Sequence, residues 1–532
     1  MRNVQFKRLL DTLARSSAQA VTTLGQGQKE EDELKEYLYV ETDIETDFKR
    51  LLDSSPPPET VIFLCGSSGD GKSEILKRYH KRYSDEFHFH LDATHAFKPD
   101  QNAIQALNQL FEEQKSSEKP LVVGINVGML FNFSSQGDVE HEEIRRAIEA
   151  YLQHGEEVSP SFKFLNFEKY PKFSLEDGET GSAFISELIE RAVAASDANP
   201  LYRAYIESIE TSQDKLTTNY QLLQIEEVRE RIVKLLLSAR LRFDQFLSAR
   251  ALLDFVHHLI TGPGLLFDNL FVSGHNELSD VVSHFDPCSI RSRRIDQFLI
   301  QHPLGVKEQA FEEFQQSVAN DLNVRGLGAA SWLRFFYLLQ EVEVGNNFHQ
   351  TFGSDFEQPL YDRYIEIWRL HAAYDGRGKT LLREFYKDEL FAALMRFGNR
   401  LEPSLIKRGH MFLCSRNKVS ISAHAKLRPD FKQIEKESVA NIHEFPVCIK
   451  VGDQRLRTFH VNVSFLELIS KINDGYRPNK HDKNTIVILE EIIADVTGVI
   501  VNSDRLLFST AQGQLVLTNE VEDEEFLVGG EE

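Results

Sequence analysis

Five apolar residues in succession, Val61-Ile62-Phe63-Leu64-Cys65, lead into the glycine-rich run Gly66-Ser67-Ser68-Gly69-Asp70-Gly71-Lys72-Ser73, and a stretch with helical spacing follows from Glu74 to about Tyr83. Unbroken apolarity bounded by turn formers predicts a strand buried on both faces, as in a parallel sheet. Further on, Phe87-His88-Phe89-His90-Leu91-Asp92 alternates and closes on a carboxylate. Asn102 to about Gln114 places Ile104, Leu107 and Leu110 at helical spacing, and Leu121-Val122-Val123-Gly124-Ile125-Asn126 is again a continuous apolar run that ends on a polar residue. Strand, helix, strand, helix, strand in this order predicts an α/β sheet with right-handed crossovers.

The pattern divides the rest of the chain. Residues 1 to about 52 read as helical and polar, and Ser54-Ser55-Pro56-Pro57-Pro58 breaks any helix. After residue 127 the pattern is less regular, with one more apolar strand candidate at Phe162-Lys163-Phe164-Leu165-Asn166-Phe167. Residues 201–261 are strongly helical, and 305–400 are helical and aromatic. Past Lys407, short strands are expected at Met411–Cys414, Val447–Val451, Phe459–Val463 and Leu515–Leu517. The expected organisation is an N-terminal helical segment (1–55), an α/β P-loop NTPase core of AAA+-like type (56–200), a helical lid (201–305), a helical region (306–405), a C-terminal α+β domain (406–520) and an acidic tail (521–532). The tetrad Leu-Ser-Ala-Arg occurs at 237–240 and 247–250 without a repeat architecture.

Composition narrows the classes. A length of 532 residues suggests roughly three domains, and 41% apolar content supports globular cores. The net charge of −22 argues against a chain that coats nucleic acid by bulk electrostatics. Part of that excess lies in Glu520-Val521-Glu522-Asp523-Glu524-Glu525 and Glu531-Glu532, which read as a solvated tail. Cys65, Cys288, Cys414 and Cys448 show no paired spacing, so a reduced, cytoplasmic compartment is expected. The N-terminus has no signal-peptide core and no stretch approaches a membrane span, so no membrane association is expected.

The strongest chemical signal is the run from Gly66 to Ser73. Strand, glycine loop and helix start make a P-loop: backbone N–H groups and the helix N-terminus converge on a phosphate. Gly66, Ser67, Ser68, Gly69, Asp70, Gly71, Lys72 and Ser73 are the candidate nucleotide-binding residues, with Lys72 on the β/γ-phosphates and the Ser73 hydroxyl on Mg²⁺. Gly69 and Gly71 are expected to leave room for phosphate oxygens. ATP and Mg²⁺ are the expected cofactors.

Hydrolysis needs further groups. Asp92 is the candidate magnesium carboxylate, although Ala93-Thr94-His95 follows it where a water-orienting glutamate is expected. The strand ending at Asn126 resembles the sensor-1 strand of AAA+ ATPases; the competing reading makes Asp92 only the end of a second strand, with Glu140, Glu142, Glu143 and Glu168 as other carboxylates to test. Phe246–Phe255 resembles a sensor-2 helix that points Arg250 at the γ-phosphate, or is an amphipathic bundle helix with a surface arginine. The cluster Arg291, Arg293 and Arg294 is an arginine finger, a nucleic-acid contact or a solvated cap over a helix begun after Asp286-Pro287. Pro99-Asp100 with Glu113-Gln114-Lys115 matches a loose nuclease pattern, but Glu113 and Lys115 close a predicted helix rather than a strand. His88 and His90 share one strand face and read as packing residues, and neither a metal-binding histidine cluster nor a nucleophile elbow appears.

The phrases Phe63–Leu76, Asp92-Ala93-Thr94-His95-Ala96-Phe97, Gly124-Ile125-Asn126 and Leu165-Asn166-Phe167-Glu168-Lys169-Tyr170-Pro171, with Glu36–Glu41 upstream, resemble the DptF family. DptF is the P-loop component of bacterial DNA phosphorothioation-dependent restriction systems. The resemblance implies an ATPase that works with DptG and DptH in antiphage defence against DNA lacking the sulfur-modified backbone, with DNA met through the complex and a homo-oligomer left open. A second reading is a STAND-type signalling switch with slow turnover, kept open by the residue after Asp92. A small-molecule kinase fits poorly with so many additional residues.

Overall fold

The computed structural model describes residues 2–14, 26–67, 69–93, 101–176, 178, 180–210, 213–244, 247–274, 276–479, 482–510, 513–520 and 525–530. The chain divides into two units, one of residues 1–173, 181–237 and 245–356, the other of residues 174–180, 238–244 and 357–532. The stretch 306–405, read from the pattern as one helical region, is thus shared between them.

The first unit opens with α1 (Arg2–Asp11), α2 (Gln26–Tyr37) and α3 (Asp43–Asp53). It continues through β1 (Val61–Cys65), α4 (Lys72–Tyr83), β2 (His88–His90), α5 (Ala103–Gln114), β3 (Leu121–Ile125), α6 (Val127–Gln136), α7 (Glu142–His154) and β4 (Phe162–Asn166). The four strands form one sheet in the order β2-β3-β1-β4, and every pairing is parallel. Alternating side chains serve the two faces. Phe63, Cys65, Val123 and Ile125 pack with Leu107 and Phe111 of α5, Phe133 of α6 and Ile148 of α7. Ile62, Leu64, Val122 and Leu165 pack with Phe48 of α3 and with Leu76 and Tyr79 of α4. Because both faces are covered, all five residues of β1 and of β3 are buried, which is why these runs show no polar alternation.

Helices then follow: α8 (Ala183–Val193), α9 (Pro200–Ile209), α10 (Lys215–Gln224), α11 (Glu226–Phe243) and α12 (Ala249–Thr261). Side chains cap several of these starts: Asn102 and Gln105 form a capping box on α5, Asp214 and Thr217 do so on α10, and Ser248 caps α12. The aromatic region beyond residue 305 is core: Trp332 is 1% exposed and Phe314 and Phe336 are fully buried, with Phe311 edge-on to Trp332 at 5.3 Å.

The second unit carries the antiparallel sheets. Its strands are β5 (His410–Arg416), β6 (Val419–His424), β7 (Leu427–Pro429), β8 (Glu444–Val447), β9 (Ile449–Val451), β10 (Gln454–Arg455), β11 (Phe459–Asn462), β12 (Arg505–Thr510), β13 (Gly513–Glu520) and β14 (Glu525–Gly530). They form sheets ordered β14-β13-β12-β6-β5, β10-β9-β7 and β11-β8. Helices at Val463–Asn473 and Lys483–Ile500 complete the α+β character.

Two expectations change here. The run Val447–Val451 is two strands in two sheets, because the buried Tyr386 phenol accepts the Cys448 N–H at 3.0 Å and takes it out of either ladder. Part of the expected acidic tail is a strand: Glu525–Gly530 pairs antiparallel along β13, from Glu520↔Glu525 to Leu515↔Gly530. Residues 521–524 and 531–532 lie outside the described residues. Among the described residues no helix is long and apolar enough to cross a membrane.

Candidate nucleotide-binding site

All four strands of a parallel sheet point their carboxyl ends the same way, and in open α/β sheets ligands bind there. At that edge the chain places the loop from Gly66 after β1, Asp92 just beyond β2, Asn126 directly after β3, and Asn166 at the end of β4. The β1–β3 register brings Cys65 opposite Ile125, and the β1–β4 register brings Cys65 opposite Asn166. The sheet order sets β3, and with it Asn126, between the loop and the strand that leads to Asp92.

The loop has two left-handed glycines, Gly69 at φ +88° and Gly71 at φ +104°, a backbone that side chains resist. They differ in what surrounds them. A Cβ on Gly71 would meet nothing within 4 Å, so its side of the loop is open, whereas a Cβ on Gly69 would lie 3.1 Å from Ser248 Oγ and 3.4 Å from Arg250 Cβ. The outer side of Gly71 is thus open, while Gly69 lies against the start of α12. Gly71 is also the N-cap of α4 and supplies no side-chain cap. The helix begins at Lys72, two residues earlier than the pattern predicted, and its first N–H groups open on the loop.

Lys72 is half-buried and folds back over the loop, its Nζ donating to the Gly66 carbonyl at 2.7 Å and to the Ser67 carbonyl at 2.6 Å. Burial lowers its pKa from the ordinary lysine value, while the Asp70 and Asp92 carboxylates oppose that shift. The field of Asp92 thus reaches the lysine from beyond β2. Ser73 is exposed in the first turn of α4. Ser68 lies outside the described residues. Inside the loop, Asp70 accepts the Ser67 N–H at 2.7 Å and pairs with Lys172 Nζ at 3.5 Å. The Cys65 thiol beneath it is pushed up to about 12 by burial and is no thiolate.

Asp92 reaches the site through Gly124. A Cβ at Gly124 would stand 2.4 Å from Leu76 Cδ1 and 2.7 Å from the Leu91 carbonyl oxygen. Its absence lets the backbone leaving β2 close on β3, where the Ala93 N–H donates to the Gly124 carbonyl at 2.9 Å. A glycine within an apolar strand run is the usual sign of such an approach, and that signal was available in the sequence. Asn126 is an N-cap: its Oδ1 accepts the Met129 N–H at 2.6 Å, which fixes the amide with Nδ2 as its donor group. Arg250 sits in the first turn of α12 after the cap Ser248, where a cation opposes the helix dipole, and its Cβ would lie 3.4 Å from a Cβ on Gly69.

Other candidates fall away from this edge. Lys115, at the end of α5, donates to the Glu140 carbonyl at 3.4 Å, so Glu140 and the first turn of α7 with Glu142 and Glu143 lie toward the opposite end of the sheet, where β3 begins. Glu168 stays near, after β4, and its charge acts on Cys65. Glu113 closes α5 and Lys115 follows as its cap, so the nuclease-like pattern falls on a helix; Pro99 and Asp100 lie outside the described residues. The helix after Asp286-Pro287 is only a short turn, and the longer one starts at Arg293 behind the cap Ser292. Arg291 pairs with Asp296 at 3.5 Å and Arg294 with Asp355 at 3.7 Å, both arginines exposed. His88 is exposed and His90 half-buried. Among the described residues no group of three or more His, Cys, Asp or Glu is placed to hold a metal ion. Lys172, which the sequence reading missed, carried no signal beyond following Tyr170-Pro171. No protein-family model, no curated protein and no solved structure matches this chain.

Proposed function

We propose that this chain is a P-loop ATPase subunit with an AAA+-like core, acting in a phosphorothioation-dependent DNA restriction complex. The observation that carries the nucleotide reading is the placement of Lys72: it follows a left-handed glycine whose outer side is open, stands at an uncapped helix start, and lies in the field of Asp70 and Asp92. In this reading the Lys72 ammonium leaves the Gly66 and Ser67 carbonyls for the phosphates, and the first N–H groups of α4 take phosphate oxygens. Ser73 and, through water, Asp92 would hold Mg²⁺, which would supply charge neutralisation at the phosphate oxygens. Arg250 faces the terminal phosphate and the Asn126 amide donates beside it. The restriction assignment, with DptG and DptH as partners, rests on the resemblance of the loop and strand-end phrases alone. Turnover measured with and without duplex DNA and the two partner proteins tests it; turnover indifferent to all of them removes the restriction role.

The signalling-switch reading has one observation in its favour. Ala93, in the position where a water-orienting carboxylate is expected, is 1% exposed and hydrogen-bonded to β3. A switch holds nucleotide for many minutes and turns over slower than it releases; comparison of kcat with nucleotide dissociation separates the two.

Asp92→Asn is expected to lower Mg²⁺-dependent turnover at least tenfold, about 1.4 kcal/mol of barrier, with a smaller change in nucleotide affinity, because a magnesium-ordering carboxylate acts most as charge develops in the transition state. Unchanged turnover leaves Asp92 a strand end and Glu168 the next carboxylate to test.

With a net charge of −22, the isolated chain is expected to bind duplex DNA weakly at physiological salt, since each phosphate contact depends on counterion release by a cation. Binding measured across a salt series checks this. Tight binding with a steep salt slope would make this chain the DNA reader.

A further inference from the structure

Lys172 joins three segments of the first unit. Its Nζ lies 3.5 Å from Asp70 Oδ1 in the glycine loop, donates to the Leu247 carbonyl at 2.6 Å just ahead of α12, and sits 6.0 Å from the Phe184 ring centroid of α8. The Asp70 side chain is 1% exposed and the Lys172 side chain 17%, so the pair is held away from water, where a lone charge is costly.

The loop presents an electrostatic problem. Asp70 precedes Gly71, so a buried carboxylate lies within the loop proposed to hold a polyanion. Its other oxygen, Oδ2, holds the Ser67 N–H at 2.7 Å, a contact that an amide oxygen would make as well. The charge itself is tolerable only with a cation beside it. Lys172 supplies that cation, and the same ammonium binds the carbonyl that precedes Ser248 and Arg250.

Resting on the ATP reading above, we propose that Lys172 is a positioning residue for nucleotide binding: it neutralises Asp70 inside the phosphate loop and ties the Arg250 helix to that loop. Triphosphate binding and the docking of the arginine helix are thereby coupled, because both draw on the Lys172 ammonium. In this proposal Lys172 acts through Asp70 and the Leu247 carbonyl rather than on the nucleotide itself.

The test uses the full chain. Lys172→Met is expected to weaken ATP affinity roughly tenfold, the effect of one unneutralised charge several ångströms from a phosphate, and Lys172→Arg to retain most of the affinity. The double variant Asp70→Asn/Lys172→Met removes both charges, keeps an acceptor for the Ser67 N–H, and is expected to recover most of the affinity that Lys172→Met loses. A merely structural lysine would not be rescued by deleting its partner's charge. Unchanged affinity in Lys172→Met, or a double variant weaker than the single one, overturns the proposal.

A second measurement needs no nucleotide. Amide exchange at residues 248–252 is expected to quicken in Lys172→Met and not in Lys172→Arg. If the wild-type chain binds no ATP while this exchange pattern is found, the ATP reading fails and the tie between loop and helix stands. Exchange indifferent to both substitutions overturns the tie.

Discussion

Lys72→Ala is expected to lose ATP affinity by on the order of a hundredfold or more, while its unfolding temperature stays close to that of the wild type. The loss follows from removing a charge-assisted donor to a phosphate, about 1.5–3 kcal/mol, together with the ammonium's field at short range. The small thermal effect follows from two opposing changes. The Gly66 and Ser67 carbonyls lose a donor, but an ammonium whose pKa burial has lowered is also removed. The sign of the pH dependence is fixed by that lowered value. Between the folded and unfolded pKa of Lys72 the unfolded chain binds more protons, so this residue's contribution to stability improves as pH rises through that alkaline window and is a cost below it. The difference in unfolding free energy between wild type and Lys72→Ala should therefore shift in favour of the wild type from pH 8 to 11. Titration calorimetry with ATP and thermal melts across that range check both parts; wild-type affinity in a folded variant would sink the nucleotide reading.

The elements of this site were legible in the sequence where local chemistry decides them. Unbroken apolar runs at 61–65 and 121–125 became fully buried strands, and Asn102 capped the helix it was expected to begin. Long-range choices were not legible. Nothing local to β3 says that it inserts between β1 and β2, yet that order brings Asn126 beside the loop. The approach of α12 to Gly69 joins residues far apart in sequence, so Arg250 could be suspected from its helix but not placed. Lys172 is the clearest case: a single lysine after a proline has no periodicity to reveal that it will be buried against Asp70. In the second unit, the short strands at Met411–Cys414 and Phe459–Val463 declared themselves, while Val447–Val451 hid a change of sheet made by a tyrosine 62 residues away. Acidic residues concealed β14, because charge counts favour a solvated tail and only register with β13 makes the segment a strand.

The position at which fold and site meet most closely is Gly124, and Gly124→Ala is expected to damage both. A methyl group there would lie 2.4 Å from Leu76 Cδ1, 2.7 Å from the Leu91 carbonyl oxygen and 3.3 Å from the Leu91 carbonyl carbon. The leucine side chain can change rotamer, but the Leu91 backbone cannot retreat cheaply, since the next turn of chain is held by the Ala93 N–H on the Gly124 carbonyl at 2.9 Å. Overpacking against fixed backbone costs about 2–3 kcal/mol, which for a unit of this size is a fall of roughly 3–4 °C in Tm. Leu91 adjoins Asp92, so whatever displacement relieves the clash carries that carboxylate away from Lys72, and Mg²⁺-dependent turnover should fall well below wild type even at temperatures where the variant is fully folded. Gly128→Ala is the matched control: in the first turn of α6 a Cβ would meet only Asn126 Oδ1, at 3.5 Å, an ordinary contact, and alanine there gains up to about 1 kcal/mol of helix stability. Melting curves and turnover of the two variants, measured side by side, decide the matter. A Gly124→Ala protein as stable as wild type would mean that the β2–β3 approach is loose and that Asp92 is not held where its field reaches Lys72.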